Sequence, residues 1–225
     1  MKHELYKYLS QFVLERRMEL FERIINYRTR FITVVLEDSF QAQNASAVIR
    51  SCDCFGIQDM HFIENQNKFR LDKSVTMGSH KWLNLYTYKK RSENTKKTIR
   101  HLKKNGYRII ATCPHENDIS LYDFDLSKGK IALLYGTELT GLSEEAIRNS
   151  DEYINIPMYG FTESYNLSVA VSLTLQFLVR SLHDMEKSSW QLTEEERMDV
   201  LLDWMKKSIR RVDLIEKRFF GMHAP

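Results

Sequence analysis

The chain has 225 residues, of which 43% are hydrophobic and 28% are charged, and its formal net charge is +3. These values are typical of an ordered globular protein and argue against a disordered chain. The charge is only mildly basic, so it does not by itself indicate a nucleic-acid partner.

The N-terminal segment is amphipathic. Apolar residues recur at helical spacing over residues 3–26, which predicts one helix, and Arg16 and Arg17 lie on it. The first eight residues are charged and lack the apolar stretch of a secretory signal, and no later run approaches the length of a membrane span. We therefore expect a cytoplasmic protein that does not enter a membrane.

From residue 31 onward, apolar runs of strand type alternate with helical patterns. Strands are predicted at residues 31–36, 60–63, 83–88, 107–112, 131–135 and 153–156, and helices at residues 44–55, 72–81, 92–105 and 166–183, with a short helix opening at Ser143. This alternation predicts an α/β fold with a mainly parallel sheet and helices on both faces.

The C-terminal segment departs from this alternation. Thr193 and Glu196 have the spacing of a capping box, and the helix that they open is predicted to continue to about Phe219. We therefore divide the chain into an N-terminal helical extension (1–30), a central domain (31–185) and a C-terminal helical extension (186–225).

Two further sets of residues bear on function. The stretch from Lys89 to Arg108 contains nine basic residues and a single acid, Glu93. This composition is consistent with either a phosphate-attracting surface or a solvated helix face. The three cysteines are Cys52, Cys54 and Cys113, and none has a partner at zinc-ligand spacing, so buried, reduced thiols and no metal site are expected.

Three short segments place polar or glycine residues where a strand ends and a helix begins. They are residues 44–50 (NASAVIR), 134–143 (LYGTELTGLS) and 156–170 (IPMYGFTESYNLSVA). Open α/β sheets bind their ligands at such positions. Gly136 and Gly141 have the glycine spacing of a P-loop, but Leu142 stands where that loop requires lysine, so a nucleoside triphosphatase is not expected.

Together, the three segments resemble the signature of the SpoU branch of the SPOUT methyltransferases. The resemblance implies a deep trefoil knot in the C-terminal part of the central domain, S-adenosyl-L-methionine as cofactor and RNA 2'-O-ribose methylation as the reaction. It also implies a homodimer in which each site borrows residues from the partner. The two flanking helical extensions are similar to those of members that act on tRNA, which makes the D-loop guanosine at position 18 the favoured target.

The same resemblance assigns roles to five residues of the reaction site. Arg50 is expected to clamp the ribose phosphate, with proton removal by solvent or by an arginine perturbed only in the complex. Glu138 is expected to hold Arg50 or Asn44, or to contact RNA. Asn44 also suits the N-cap of its helix, and Ser164 and Asn166 match the functional serine and asparagine of the third motif, with Asn166 suited to cap the helix that follows.

Cofactor contacts and RNA contacts complete the predicted site. The predicted cofactor-binding residues are Thr112, Gly136, Ile156, Met158, Tyr165 and Leu167. The predicted RNA-binding residues are Arg16, Arg17, Lys206, Lys207, Arg210 and Arg211. Two alternatives stay open, namely methylation of a tRNA wobble nucleotide or of rRNA, and a knotted RNA-binding protein without catalysis.

Overall fold

The computed structural model describes residues 1–39, 41–89, 93–113, 115 and 117–222. Lys90 and Arg91 of the basic run, and Ser92 where a helix is predicted to begin, lie outside these residues. The chain divides into two units. The sheet unit comprises residues 29–190, and the terminal unit comprises residues 1–28 and the chain from Gln191 onward.

Within the described residues, seven strands form one sheet in which every neighbouring pair is parallel. The strands are β1 (Ile32–Glu37), β2 (Asp59–Ile63), β3 (Asn84–Tyr88), β4 (Arg108–Thr112), β5 (Ile119–Ser120), β6 (Ile131–Tyr135) and β7 (Glu152–Asn155). Their order across the sheet is β3-β2-β1-β6-β4-β7-β5. Because the strands are parallel, the loops that follow them all emerge at one edge, and that edge is where the three motif segments meet.

The described helices follow in chain order. They are α1 (Lys2–Ser10), α2 (Glu15–Ile24), α3 (Ala42–Cys54), α4 (Lys73–Thr76), α5 (Asn94–Lys104), α6 (Glu144–Arg148), α7 (Leu167–Asp184), α8 (Glu194–Ser208) and α9 (Val212–Met222). The capping residues expected from the sequence are present at three of them. Ser143, Asn166 and Thr193 each accept a hydrogen bond from a backbone N–H in the first turn of the helix that follows.

Two apolar cores lie on opposite faces of the sheet. On one face, residues of α3 and α7 pack against Val34, Leu133 and their neighbours. On the other, Ile99 and Leu102 of α5 pack with Ala146 of α6 against strand residues that include Val35. The strands are apolar toward both faces because both are covered, as parallel sheets require. The predicted α/β fold, with a parallel sheet and helices on both faces, is therefore confirmed.

Both long terminal helices predicted from the sequence are interrupted. In the N-terminal segment the chain leaves helical geometry at Leu14, and Tyr6 of α1 donates a hydrogen bond to Glu22 of α2, which requires the chain to fold back. In the C-terminal segment Ile209 is extended and Arg211 has a φ of 56°, after which α9 begins. The apolar periodicity continues across both turns, so the sequence pattern did not reveal them.

Two local predictions need correction. Helix α3 begins at Ala42, so Asn44 lies inside its first turn rather than at its N-cap. Cys52 is buried as expected, but Cys54 is exposed and Cys113 is half-buried, with all three present as free thiols. Positions 52 and 54 are two apart and therefore lie on different sides of α3.

Candidate functional site

A cavity of about 370 Å³ lies at the carboxyl edge of the sheet unit. It is formed by the ends of β4, β6 and β7 and by the loops that follow the last two. Its described lining comprises Thr112, Cys113, Tyr135, Gly136, Thr137, Glu138, Leu139, Gly141, Leu142, Ile154, Asn155, Ile156, Met158, Glu163, Ser164, Tyr165, Leu167 and Ala170. The second and third motif segments therefore build one concave site, as expected for an open α/β sheet.

The loop between β6 and α6 is closed tightly by its two glycines. Thr137 and Gly141 exchange backbone hydrogen bonds of 3.0 and 3.1 Å, and Gly141 has a φ of 68°. A Cβ on Gly136 would stand 2.1 Å from the carbonyl carbon and oxygen of Gly141. Only glycine permits this approach, so the spacing that resembles a P-loop serves here to close the loop.

Glu37, at the end of β1, fixes the far end of the same loop. Its side chain is buried and accepts hydrogen bonds from the Ser143 backbone N–H (2.8 Å), the Ser143 hydroxyl (2.8 Å) and the Thr95 hydroxyl (2.5 Å). Three donors satisfy a carboxylate that would otherwise be costly to bury. Sequence reasoning did not single out Glu37, although an acid directly after a buried strand was the available signal.

Side chains from all three motifs are joined by hydrogen bonds beside the cavity. The Asn44 amide donates to the Glu138 carboxylate at 2.6 Å, and the Asn166 amide donates to the Asn44 carbonyl oxygen at 3.3 Å. The Asn166 carbonyl oxygen accepts from the backbone N–H and the hydroxyl of Ser168, which fixes the start of α7. This Glu138–Asn44–Asn166 network therefore ties the first turn of α3 to the loops that follow β6 and β7.

The six residues predicted to bind the cofactor all line the cavity. Ile156, Met158 and Leu167 give it an apolar wall, and Tyr165 is partly exposed at its margin. The Thr112 hydroxyl donates to the Leu134 carbonyl at 2.7 Å, so it also ties β4 to β6.

Four of the five predicted reaction residues lie in the cavity lining or are hydrogen-bonded to it. Glu138 and Ser164 line the cavity, and Asn44 and Asn166 reach it through the network. Arg50 does not belong to the described lining. It is exposed on α3, and among the described residues its guanidinium makes no hydrogen bond or ion pair.

The charge of the cavity limits which ligands suit it. Its described lining contains the carboxylates of Glu138 and Glu163 and no lysine or arginine. Phosphate groups are usually held by basic side chains or by helix N-termini, so a nucleotide phosphate finds no basic partner here. Burial raises the pKa of the Cys113 thiol, which keeps this wall of the cavity neutral.

The predicted RNA-binding residues lie in the terminal unit. Arg16, Arg210 and Arg211 are exposed. Lys206 and Lys207, in contrast, are engaged within the unit, since they form ion pairs with Glu216 (2.7 Å) and Asp203 (2.6 Å). Arg17 is also exposed. Of these six residues, Arg16, Arg210 and Arg211 therefore present charges that no ion pair among the described residues neutralises.

The described residues contain no group of three or more metal-ligating side chains that could hold a metal ion. They also contain no helix that is both long enough and apolar enough to cross a membrane.

Comparison with known proteins gives a consistent result. The model of the SpoU rRNA Methylase family matches residues 31–176. A tRNA (guanosine(18)-2'-O)-methyltransferase of Borreliella burgdorferi is 42% identical over 210 residues, which cover 92% of this chain and 93% of the relative. The enzyme of the same name from Thermus thermophilus is 32% identical, over 86% of this chain and 97% of its own length.

Solved structures agree with these relatives. The TrmH/SpoU tRNA modifying enzyme of A. aeolicus superposes with a TM-score of 0.77 at 26% identity, covering 88% of this chain and 98% of its own. The SpoU methyltransferase AviRb from Streptomyces viridochromogenes, in complex with AdoMet, superposes with a TM-score of 0.60 at 25% identity, covering 73% of this chain and 65% of its own.

Proposed function

The chain belongs to the SpoU rRNA Methylase family, and from this we propose that it transfers a methyl group from S-adenosyl-L-methionine to the ribose 2'-hydroxyl of guanosine 18 in tRNA. Relatives that match nearly the whole chain carry the name of this activity. The observation that supports it most strongly is the Glu138–Asn44–Asn166 network, because it joins residues of all three motif segments at one cavity.

The cavity fits S-adenosyl-L-methionine. The cofactor, when bound, supplies a methyl group on a cationic sulfur, and the described lining is acidic and free of lysine and arginine. Its apolar wall of Ile156, Met158 and Leu167 suits an adenine ring, and the backbone of the closed loop from Gly136 offers polar groups beside it. Thr112 and Tyr165 complete the proposed cofactor contacts.

The chain's own residues then position the acceptor. Ser164 lies in the cavity wall and is proposed to contact the acceptor ribose. The hydrogen-bonded network of Asn44, Glu138 and Asn166 fixes the relative positions of the three motif segments. The 2'-oxygen can then align behind the methyl group. S-adenosyl-L-methionine held in this cavity would supply the methyl group to the 2'-oxygen, and the hydroxyl proton would leave to solvent or to an arginine perturbed in the complex.

Arg50 is proposed to act on the cavity of a second copy of the chain. It is exposed and lies outside the described lining of the cavity in its own chain. Nearby on α7, Val169 and Leu173 are 43% and 41% exposed, which is consistent with an apolar contact between copies. We therefore propose a homodimer in which Arg50 clamps the phosphate of RNA bound to the partner.

Three further features are part of the proposal. A trefoil knot in the C-terminal part of the sheet unit is supported by the family resemblance of the three motif segments. The exposed arginines of the terminal unit are proposed to bind tRNA phosphates. A cytoplasmic location is supported by the proposed substrate, since tRNA is found there.

The function is tested by incubating purified protein with labelled S-adenosyl-L-methionine and an unmodified tRNA, followed by nuclease mapping. We expect one 2'-O-methylguanosine, at position 18. Asn44→Asp replaces the donor to Glu138 with a second carboxylate, and we expect it to reduce turnover about 100-fold, since small misplacements can cost that much.

Gln43→Glu is the matched control for this test. It adds the same charge at the neighbouring position of α3, which is exposed, and should retain turnover within about twofold. Equal activity of the two variants would contradict the role of the network, and transfer to a base instead of a ribose would contradict the proposed reaction.

A further inference from the structure

Large apolar side chains stand exposed around the mouth of the cavity. Leu139 is 97% exposed and Tyr159 is 94% exposed, and Phe161 is exposed over its whole ring. Leu139 lines the cavity itself, and the other two lie on the β7–α7 loop between Met158 and Glu163, which both line it. Single exposed apolar residues are common on protein surfaces, but a group of them beside a cavity indicates a surface that binds a ligand or a partner.

Glu163 brings a carboxylate to the same rim. It lines the cavity and is exposed, and among the described residues its side chain makes no hydrogen bond or ion pair. It differs in this from Glu138, whose carboxylate accepts from Asn44 at 2.6 Å. Glu163 is therefore a hydrogen-bond acceptor for which the described part of the chain supplies no donor.

The proposed reaction determines which part of the RNA meets this rim. The base of a nucleotide is attached to C1', the carbon next to the one that bears the 2'-oxygen. When that oxygen enters the cavity, the base must stay at the mouth. Bases in RNA loops are recognised by stacking on aromatic rings and by hydrogen bonds to their Watson–Crick edges.

Only guanine presents two neighbouring donors, N1–H and the N2 amine, on its Watson–Crick edge. A carboxylate has only acceptors, and it can receive both donors at once. Adenine and cytosine each place a ring-nitrogen acceptor at the corresponding position, which would repel a carboxylate.

We propose that Glu163, together with Phe161 and Tyr159, forms a subsite for the guanine base of the target nucleotide. The carboxylate accepts from N1–H and from the N2 amine, and the rings stack on the base. This inference rests on the proposed function and deepens it, because it assigns the choice of base to the β7–α7 loop.

The test uses tRNA that carries either guanosine or inosine at position 18, because inosine differs from guanosine only in lacking the N2 amine. For the wild-type protein we expect kcat/KM to be about tenfold lower with inosine, in line with the loss of one charge-assisted hydrogen bond. For Glu163→Gln we expect the guanosine reaction to slow by about tenfold and the preference for guanosine to shrink to within about twofold. Its Kd for S-adenosyl-L-methionine should change far less than kcat/KM, because Glu138 keeps a carboxylate in the lining, and this shows that the cavity is intact.

Two sets of control variants make the result specific. Glu186→Gln changes an exposed glutamate outside the cavity lining and should keep the wild-type preference. Phe161→Leu should raise the KM for tRNA several-fold, whereas Phe161→Trp, which retains a ring that can stack, should not.

The outcomes separate this inference from the proposed function. If the wild-type protein methylates guanosine 18 and inosine 18 equally well, or if Glu163→Gln keeps the full preference, the guanine subsite is wrong and the proposed function stands. If the wild-type protein methylates neither tRNA, both are overturned.

Discussion

Single residues decide whether the cavity can form, and Gly136 is the clearest case. A Cβ at this position would overlap the backbone of Gly141, at 2.1 Å, and a backbone atom cannot move aside as a flexible side chain would. Gly136→Ala should therefore open the loop and raise the Kd for S-adenosyl-L-methionine at least tenfold, as measured by calorimetry.

Gly160→Ala provides the control for this prediction. Gly160 lies two residues after the cavity-lining Met158, but the nearest atom to its added Cβ would be 4.0 Å away. The variant should bind S-adenosyl-L-methionine within about twofold of wild type. Comparable losses in both variants would show that the closed loop is not what makes position 136 special.

For single residues, the sequence predicted which side chains belong to the site better than it predicted which of them contact each other. Asn44 and Glu138 are 94 positions apart, so no local pattern could show that they bond, and the N-cap predicted for Asn44 was wrong because α3 begins two residues earlier. Glu37 was missed because its partners, Thr95 and Ser143, come from distant parts of the chain.

At the scale of elements, His61 links the edge strand β3 to the rest of the sheet. Its Nδ1 lies 2.9 Å from the Tyr88 hydroxyl, and its ring stacks on Tyr86 with centroids 5.0 Å apart. Burial lowers the pKa of His61 from 6.5 to about 4. The folded protein thus keeps this imidazole neutral, whereas the unfolded chain protonates it near pH 6.5.

This shift makes stability depend on pH in a defined direction. Between pH 6.5 and 4 the unfolded state binds a proton that the folded state does not, so the free energy of unfolding falls as pH decreases. The contribution of this one group is up to about 1.4 kcal/mol per pH unit. Urea unfolding at pH 7, 6 and 5 should show a shallower decline for His61→Asn than for wild type.

His3→Asn is the control, because His3 is exposed on α1 and should leave the slope as in wild type. An unchanged slope in His61→Asn would show that another group governs the acid sensitivity of the protein.

Elements were predictable where a pattern was long and local. Six of the seven described strands agree with the sequence to within one residue at each end, and β5 was missed because two residues carry no periodicity. The terminal helices were predicted as continuous because the helical spacing of their apolar residues continues through the turns at Leu14 and Arg211. A positive φ is unusual for a residue with a Cβ, so the arginine at position 211 did not indicate a turn there.

At the scale of the whole molecule, we assign cofactor binding to the sheet unit and much of the tRNA binding to the terminal unit. Reversing Arg210 and Arg211 to Glu should weaken tRNA binding about tenfold or more at low salt, and the difference should shrink as salt increases. The Kd for S-adenosyl-L-methionine should not change, because both residues lie outside the sheet unit. Filter binding over a salt series measures the first quantity and calorimetry the second.

The matched control is the double change of Lys128 and Lys130 to Glu. These lysines precede β6 and so lie at the edge of the sheet opposite the cavity, and the change in charge is identical. Equal loss of tRNA affinity in both double variants would indicate a non-specific effect of net charge.

The most direct test of the account compares two tRNAs that differ by one oxygen atom. One carries guanosine at position 18 and the other carries 2'-deoxyguanosine there, and each is incubated with the protein and labelled S-adenosyl-L-methionine. We predict methyl incorporation close to one equivalent into the first tRNA and none above background into the second. Equal incorporation into both would contradict the claim that this cavity brings the donor methyl group to the ribose oxygen of guanosine 18.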